Sequence, residues 1–111
     1  MKEFTLDIAH WFSNESERLE GLRGRWIAED QCAVFEYPRR TPKALWNLGV
    51  LYPIYASAVD DDMVVACERL EANDPHPVSL PACSFVIESR VPIEAGSVVD
   101  LFSPGGVEVG W

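Results

Sequence analysis

The sequence predicts an α+β fold, in which a mainly antiparallel sheet of about five strands carries two or three helices packed on it. The chain has 111 residues, the size of one globular domain covering 1–111. Several short segments alternate apolar and polar side chains or are rich in β-branched and aromatic residues, as strands are. Two other segments begin with residues that cap helices.

The first two elements lie before residue 24. Residues 4–8 alternate apolar and polar side chains, which predicts a half-buried strand that could continue toward Phe12. Asn14 is followed three residues later by Glu17, the spacing of a capping box. We therefore expect a helix over residues 15–23, with Leu19 as one of its inward contacts.

Strand signals continue after this helix. Residues 25–29 and 32–37 predict two short strands, separated by a turn and followed by Pro38, which should end the second. Thr41 with Pro42 then resembles a helix start, because threonine caps well and proline fits the first helical position. These residues predict a short helix over 42–48.

Residues 44–59 form the longest uncharged stretch in the chain and should lie at the centre of the core. Pro53 leaves their secondary structure open. A buried strand would need Pro53 at an edge or a bulge, whereas a helix would be kinked there.

Asp60 begins the segment that looks most helical. As an N-cap it would place Asp61 and Asp62 in the first turn, where the helix dipole favours negative charge. A helix over 61–73 would then bury one face at helical spacing, formed by Met63, Ala66, Cys67 and Leu70.

The last third reads as strands. Residues 83–91 and 97–102 have strand composition and are separated by a turn at 94–96. Residues 103–106 are Ser-Pro-Gly-Gly, the clearest turn signal in the chain. They predict a hairpin whose last strand lies in 107–111.

The net charge of −9 excludes some classes of function. It argues against direct nucleic-acid binding, which needs basic residues to replace counterions on phosphates. The charge is uneven, since residues 1–43 carry a net −1 and residues 44–111 carry a net −8. The carboxyl groups of this second part are Asp60, Asp61, Asp62, Glu68, Glu71, Asp74, Glu88, Glu94, Asp100 and Glu108.

The three cysteines, Cys32, Cys67 and Cys83, show no metal-binding spacing. We expect reduced, mostly buried thiols and a cytoplasmic protein. Residues 44–59 are too short and too interrupted for a membrane span, so we expect no membrane association.

No recognised motif predicts a catalytic residue, a cofactor or a metal site. The run of carboxylates at 60–62 could bind Mg²⁺ or Ca²⁺, but it lacks the alternating ligands and central glycine of a calcium loop. The helix-capping interpretation is favoured instead. Charge on this part of the chain predicts a partner-binding surface formed by Asp60, Asp61, Asp62, Glu68, Glu71 and Asp74.

These properties predict a non-enzymatic, small acidic binding protein, monomeric or homodimeric, that inhibits a protein partner by docking on its basic surface. Immunity proteins and phage-encoded anti-CRISPR inhibitors of nucleic-acid machinery are similar in size and charge, although no motif connects them to this chain. One alternative is a structural or assembly module of a phage-type particle. Another is a small enzyme that uses carboxylates with a metal.

Overall fold

The computed structural model describes residues 2–111, and they form a mostly β protein. Seven strands hold 54% of the residues, and a single short helix holds 5%. The predicted α+β class with two or three helices is therefore wrong. The elements in chain order are β1 (Glu3–Phe12), α1 (Glu15–Glu20), β2 (Gln31–Leu45), β3 (Ile54–Asp60), β4 (Met63–Leu70), β5 (Val78–Ser89), β6 (Val98–Phe102) and β7 (Glu108–Val109).

All seven strands belong to one sheet, in the order β1-β2-β5-β3-β4-β6-β7. Strand β1 also pairs with β6, so six strands close into a ring and β7 extends the free part of the β6 edge. Strand β1 runs parallel to both of its neighbours, and the other neighbouring strands run antiparallel. Closure pairs both edges of most strands, which limits unpaired backbone groups.

Two apolar clusters lie on opposite faces of this closed sheet. The cluster inside the ring draws on all six strands and contains Leu6, Cys32, Val34, Val59, Val64, Ile87, Val99 and Leu101. The second cluster lies on the outer face of β2, β3 and β5, where residues of the segments 21–28 and 46–53 cover it, whereas α1 buries none of its own residues. Strand β3 and residues 32–35 of β2 are therefore buried on both faces, which explains their mostly apolar sequences.

The predicted helix over 61–73 is instead the turn after β3 followed by strand β4. Asp61 and Asp62 have positive φ angles of 49° and 60°, and they join two antiparallel strands as a two-residue turn. Positive φ at both central residues is typical of the turn type that suits hairpins. The apolar spacing that resembled a helical face was misleading, because the β-branched Val64 and Val65 also favour a strand.

The predicted helix over 42–48 is also wrong, because β2 continues through both prolines to Leu45. The β2–β5 ladder shifts register between Glu36 and Thr41 and again between Thr41 and Lys43. Pro38 and Pro42 fall within these irregular stretches, where a missing N–H group disrupts no regular pairing.

Residues 44–59 divide into three parts. Leu45 ends β2, residues 46–53 are irregular, and a strand begins at Ile54. Pro53 precedes that strand, so its missing donor costs the ladder nothing. Residues 25–29, predicted as a strand, form no strand and contribute Ile27 to the outer cluster instead.

Several local predictions are confirmed. The first strand forms and reaches Phe12, and the hairpin after Ser-Pro-Gly-Gly pairs β6 with β7. The capping box also forms, because Asn14 Oδ1 accepts from the Glu17 N–H at 2.8 Å and the Glu17 carboxylate accepts from the Asn14 N–H at 3.3 Å. The helix ends early, at Glu20, since Gly21 leaves helical geometry with φ 53°. Leu19 is 70% exposed and does not face inward.

Candidate binding pocket

Glu88 is a buried carboxyl group on the outer face of the closed sheet. Its neighbours across the ladder are Ala33 on β2 and Ala56 on β3. Residues that are directly opposite each other point to the same face, so two small side chains flank the carboxyl group. Glu88 is 6% exposed, because α1 and the covering segments close over this face.

A cavity of about 240 Å³ opens onto Glu88 from the surface. We call it the Glu88 pocket. Strand β2 contributes Phe35, Tyr37, Ala44 and Leu45 to the lining of the pocket. Helix α1 and the residues after it contribute Glu15, Arg18, Leu19, Glu20, Gly21, Leu22 and Arg23. The segment 46–53 contributes Trp46, Asn47, Leu48 and Val50. The walls are thus mostly apolar, with one carboxyl group at the buried end.

The Glu88 carboxyl group makes no hydrogen bond or ion pair within residues 2–111. Burial alone raises its pKa from 4.5 to about 8. Removal from water disfavours the charged form, and no nearby cation offsets that cost. The group is therefore mostly protonated at neutral pH. Burial and the neighbouring Glu88 also raise the pKa of Tyr37 to about 12, so its hydroxyl stays neutral.

Two cations lie near this pocket without neutralising Glu88. Arg18 and Lys43 stack against the Tyr37 ring, 5.0 Å and 4.5 Å from its centroid. Arg18 Nη1 donates to the Glu36 carbonyl at 2.8 Å, and Lys43 Nζ donates to the Thr41 carbonyl at 2.7 Å. Their donors are thus engaged by backbone oxygens, which positions Tyr37 and leaves the carboxyl group unpaired.

Asn47 provides a second unsatisfied acceptor in the pocket lining. It is 2% exposed, and its Nδ2 group donates to the Tyr52 and Glu71 carbonyl oxygens at 2.9 and 3.0 Å. These two donations fix the orientation of the amide. Asn47 Oδ1 is buried and accepts no hydrogen bond from the part of the chain that the structure describes. A buried acceptor without a partner is costly, and such groups often mark a site for a ligand.

Exposed apolar side chains surround the outer face. The described residues include eight large exposed apolar side chains, and five of them lie on α1 or on the covering segments. We call these five the outer apolar surface: Leu19 (70% exposed), Trp26 (65%), Trp46 (56%), Leu48 (40%) and Leu51 (80%). Three of them, Leu19, Trp46 and Leu48, also line the pocket. Such a concentration is typical of an interaction site.

The carboxylates predicted to bind a partner lie at both ends of β4. Asp60, Asp61 and Asp62 form the β3–β4 turn, and Glu71 and Asp74 follow the other end of the strand. A strand of this length separates its ends by roughly 25 Å. Asp61 and Asp62 also do not cap a helix, contrary to the interpretation given to them from the sequence, because no helix follows.

Three of these carboxylates already have partners within the chain. Asp60 accepts two hydrogen bonds from Arg40, at 2.8 and 3.1 Å, which lowers its pKa. Glu71 pairs with Arg69 at 2.7 Å. Asp74 accepts from the His76 backbone N–H at 2.9 Å, and this bond lowers its pKa. Glu68 is exposed on β4. Binding of a partner by these residues stays a prediction.

Within residues 2–111 no group of three or more potential ligands is arranged to hold a metal ion. Asp61, Asp62, Asp100 and Glu108 do share a broad hollow with Trp111. All three cysteines are free, with Cys32 and Cys83 buried and Cys67 partly buried. Of the helices described here, none has the length and apolar character needed to cross a bilayer.

Sequence reasoning placed Glu88 among the surface carboxylates and so missed the pocket. One signal was present, because Glu88 has the same strand parity as the buried Val86 and follows three apolar residues. This strand parity indicates burial of Glu88 only when both faces of the strand are covered. The alanines that flank Glu88 come from strands distant in sequence, and only the sheet order reveals them.

No protein-family model matches this chain, and no curated protein matches it. Two solved structures have a similar fold. A protein described as a "putative transcription regulator" from Sinorhizobium meliloti 1021 aligns with a TM-score of 0.67 and 18% identity, over 71% of this chain and 64% of that one. This chain therefore aligns with less than two thirds of the length of the Sinorhizobium protein. A protein of unknown function from Novosphingobium aromaticivorans DSM 12444 aligns with a TM-score of 0.67 and 15% identity, over 77% and 70% of the two chains. At these identities the likeness concerns the fold alone.

Proposed function

We propose that this chain is a non-enzymatic binding protein that docks on a basic surface of a partner protein and inhibits it. The observation that carries the proposal is the outer apolar surface around the Glu88 pocket. Aromatic and large aliphatic side chains with a buried polar group at their centre are typical of protein interfaces. The net charge of −9 favours a basic partner, since complementary charge accelerates association and disfavours other partners.

We also propose a place of action and a class of target. Free, mostly buried cysteines fit the reducing cytoplasm, which we propose as the place of action. The description of the Sinorhizobium protein raises the idea of a role in transcription. For this chain, such a role would fit contact with a protein better than contact with DNA, because an acidic surface repels phosphate.

Affinity capture with matched surface variants tests the proposal. Trp46→Ala removes an exposed aromatic anchor, and Val107→Ala removes an apolar side chain of similar exposure, 66%, from the β6–β7 turn. We expect a basic protein that the wild type and Val107→Ala retain, but that Trp46→Ala loses with at least a tenfold drop in affinity. Its activity should fall when the wild-type chain is added. Equal retention by all three chains would overturn the proposal.

A further inference from the structure

We propose that the Glu88 pocket receives a lysine or arginine side chain of the partner, an inference that rests on the binding function proposed above. The carboxyl group at the buried end would pair with the cationic head of that side chain. The apolar walls would hold its aliphatic stem. This assignment adds a specific contact at the centre of the interface to the general complementarity of charge.

The first argument is that the Glu88 carboxyl group lacks any partner in the free protein. The Glu88 residue is buried, with 6% of its surface exposed, and its carboxyl group makes no hydrogen bond or ion pair to residues 2–111. Burial of such a group without compensation is unfavourable, and a cationic donor would supply both hydrogen bonds and charge. Glu88 lines the pocket together with Leu45 and Trp46, so a donor that enters the pocket can reach it.

The second argument is the match between the Glu88 carboxyl group and a cationic donor. Pairing with a cation favours the ionised form of the carboxyl group, whose two oxygens then only accept hydrogen bonds. An ammonium group has three donors and a guanidinium group has five, and neither has an acceptor. A basic side chain therefore suits the Glu88 carboxyl group better than an acidic or purely apolar one.

The third argument comes from the walls of the pocket. Phe35, Tyr37 and Trp46 line it and offer aromatic surface to methylene groups and to a cation. Arg18 and Arg23 also line it, but their hydrogen bonds go to other groups, since Arg23 Nε donates to the Leu48 carbonyl at 2.9 Å and Arg18 Nη1 to that of Glu36. Neither supplies the missing partner for Glu88.

Size favours an inserted side chain over a whole ligand. The volume of about 240 Å³ is below the roughly 300–1,000 Å³ of pockets that enclose small molecules. Trp26 and Leu51 are exposed apolar side chains outside the pocket lining, and a small ligand confined to the pocket would not contact them. A protein that covers this surface and projects one basic side chain inward uses both features.

The test uses n-butylammonium as the lysine side-chain probe and n-butanol as its neutral counterpart, each titrated into the full chain at neutral pH. Amide chemical shifts in NMR spectra report where each probe binds. We expect weak, millimolar binding of n-butylammonium that shifts the amides of Ala33, Ala56 and Glu88, with no comparable effect of n-butanol. Equal shifts from both probes, or shifts centred on Asp61, Asp62 and Asp100, would overturn the assignment.

Variants then test the role of the carboxyl group. Glu88→Gln should weaken n-butylammonium binding by about tenfold or more, because it removes a charge-assisted hydrogen bond. Glu68→Gln is the matched control, since Glu68 also lies opposite Ala56 but is exposed. Ala44→Leu narrows the pocket, which Ala44 lines, without changing charge and should also weaken binding. An equal loss in Glu68→Gln and Glu88→Gln would show that general charge, not the pocket, attracts the probe.

The captured partner distinguishes this inference from the proposed function. We expect Glu88→Gln to weaken partner binding by tenfold or more, as Trp46→Ala does. A partner that needs Trp46 but not Glu88 would leave the binding function intact and overturn the pocket assignment. If n-butylammonium binding requires Glu88 but no partner does, the occupant is a free amine, and the assignment to a partner side chain is again overturned.

Discussion

The β3–β4 turn and the Glu88 pocket both contain carboxyl groups, but these groups differ in their burial and in their partners. The β3–β4 turn carries Asp60, Asp61 and Asp62 in sequence, where water or Arg40 surrounds them. Of the three glutamates that line the Glu88 pocket, Glu15 and Glu20 are exposed, whereas Glu88 is buried without a partner among the described residues. Local density of charge is thus a poor guide to a site. Burial of a single unsatisfied group is a better one, because its free energy improves when a ligand arrives.

The largest predicted effect concerns the pH dependence of stability. Glu88 has a pKa of about 8 in the folded chain against 4.5 in the unfolded one, so the folded state binds the proton more tightly between these values. The free energy of unfolding should therefore decrease as pH rises from 4.5 to 8, by up to about 5 kcal/mol from this group. Glu88→Gln should remove this part of the slope and be more stable than the wild type at pH 8.

Urea unfolding at several pH values measures this contribution. Other groups also titrate, so the quantity of interest is the difference between the wild type and Glu88→Gln. Glu68→Gln provides the matched exposed control and should follow the wild-type curve. A difference between the wild type and Glu88→Gln that stays constant from pH 4.5 to 8 would show that the pKa of Glu88 is not raised. Glu88 would then not differ in its pKa from the exposed carboxyl groups of the β3–β4 turn.

The next effect tests how the pocket is covered. Helix α1 has only six residues, so it depends on the capping box of Asn14 and Glu17. Asn14→Ala should lower the free energy of unfolding by about 1 kcal/mol, because it leaves helical N–H groups without an acceptor. Hydrogen exchange should also become faster in α1 and at the pocket wall near Arg18. Unchanged exchange there would mean that packing alone holds the cover.

The smallest effect concerns the exposed turn. Asp62 occupies the left-handed region with φ 60°, and glycine adopts this region without a steric cost. Asp62→Gly should therefore stabilise the β3–β4 hairpin by about 0.5 kcal/mol, while Asp62→Val should destabilise it by more. Thermal unfolding of the two variants checks the order. If Asp62→Gly lost partner binding, the acidic turn would regain a role in recognition.

Local signals in the sequence predicted those parts of the fold that depend on neighbouring residues. The alternation at 4–8 gave β1, the capping box gave the start of α1, and Ser-Pro-Gly-Gly gave the β6–β7 hairpin. Sequence signals that fit both a helix and a strand led to wrong predictions. The spacing of Met63, Ala66, Cys67 and Leu70 fits a helix, but β4 pairs along its whole length with β3, and that pairing overrides local preference.

The surroundings of Glu88 come from strands that are distant in sequence, so no local sequence pattern predicts the pocket. The sequence by itself determined composition, charge, the first strand, the helix cap and the last hairpin, because these follow from residues a few positions apart. The tertiary structure alone decided that β1 closes the sheet onto β6, and that Glu88 lies between Ala33 and Ala56 under α1. The reason is physical: the pKa and the binding capacity of a carboxyl group depend on what surrounds it, and strands that are distant in sequence supply those surroundings.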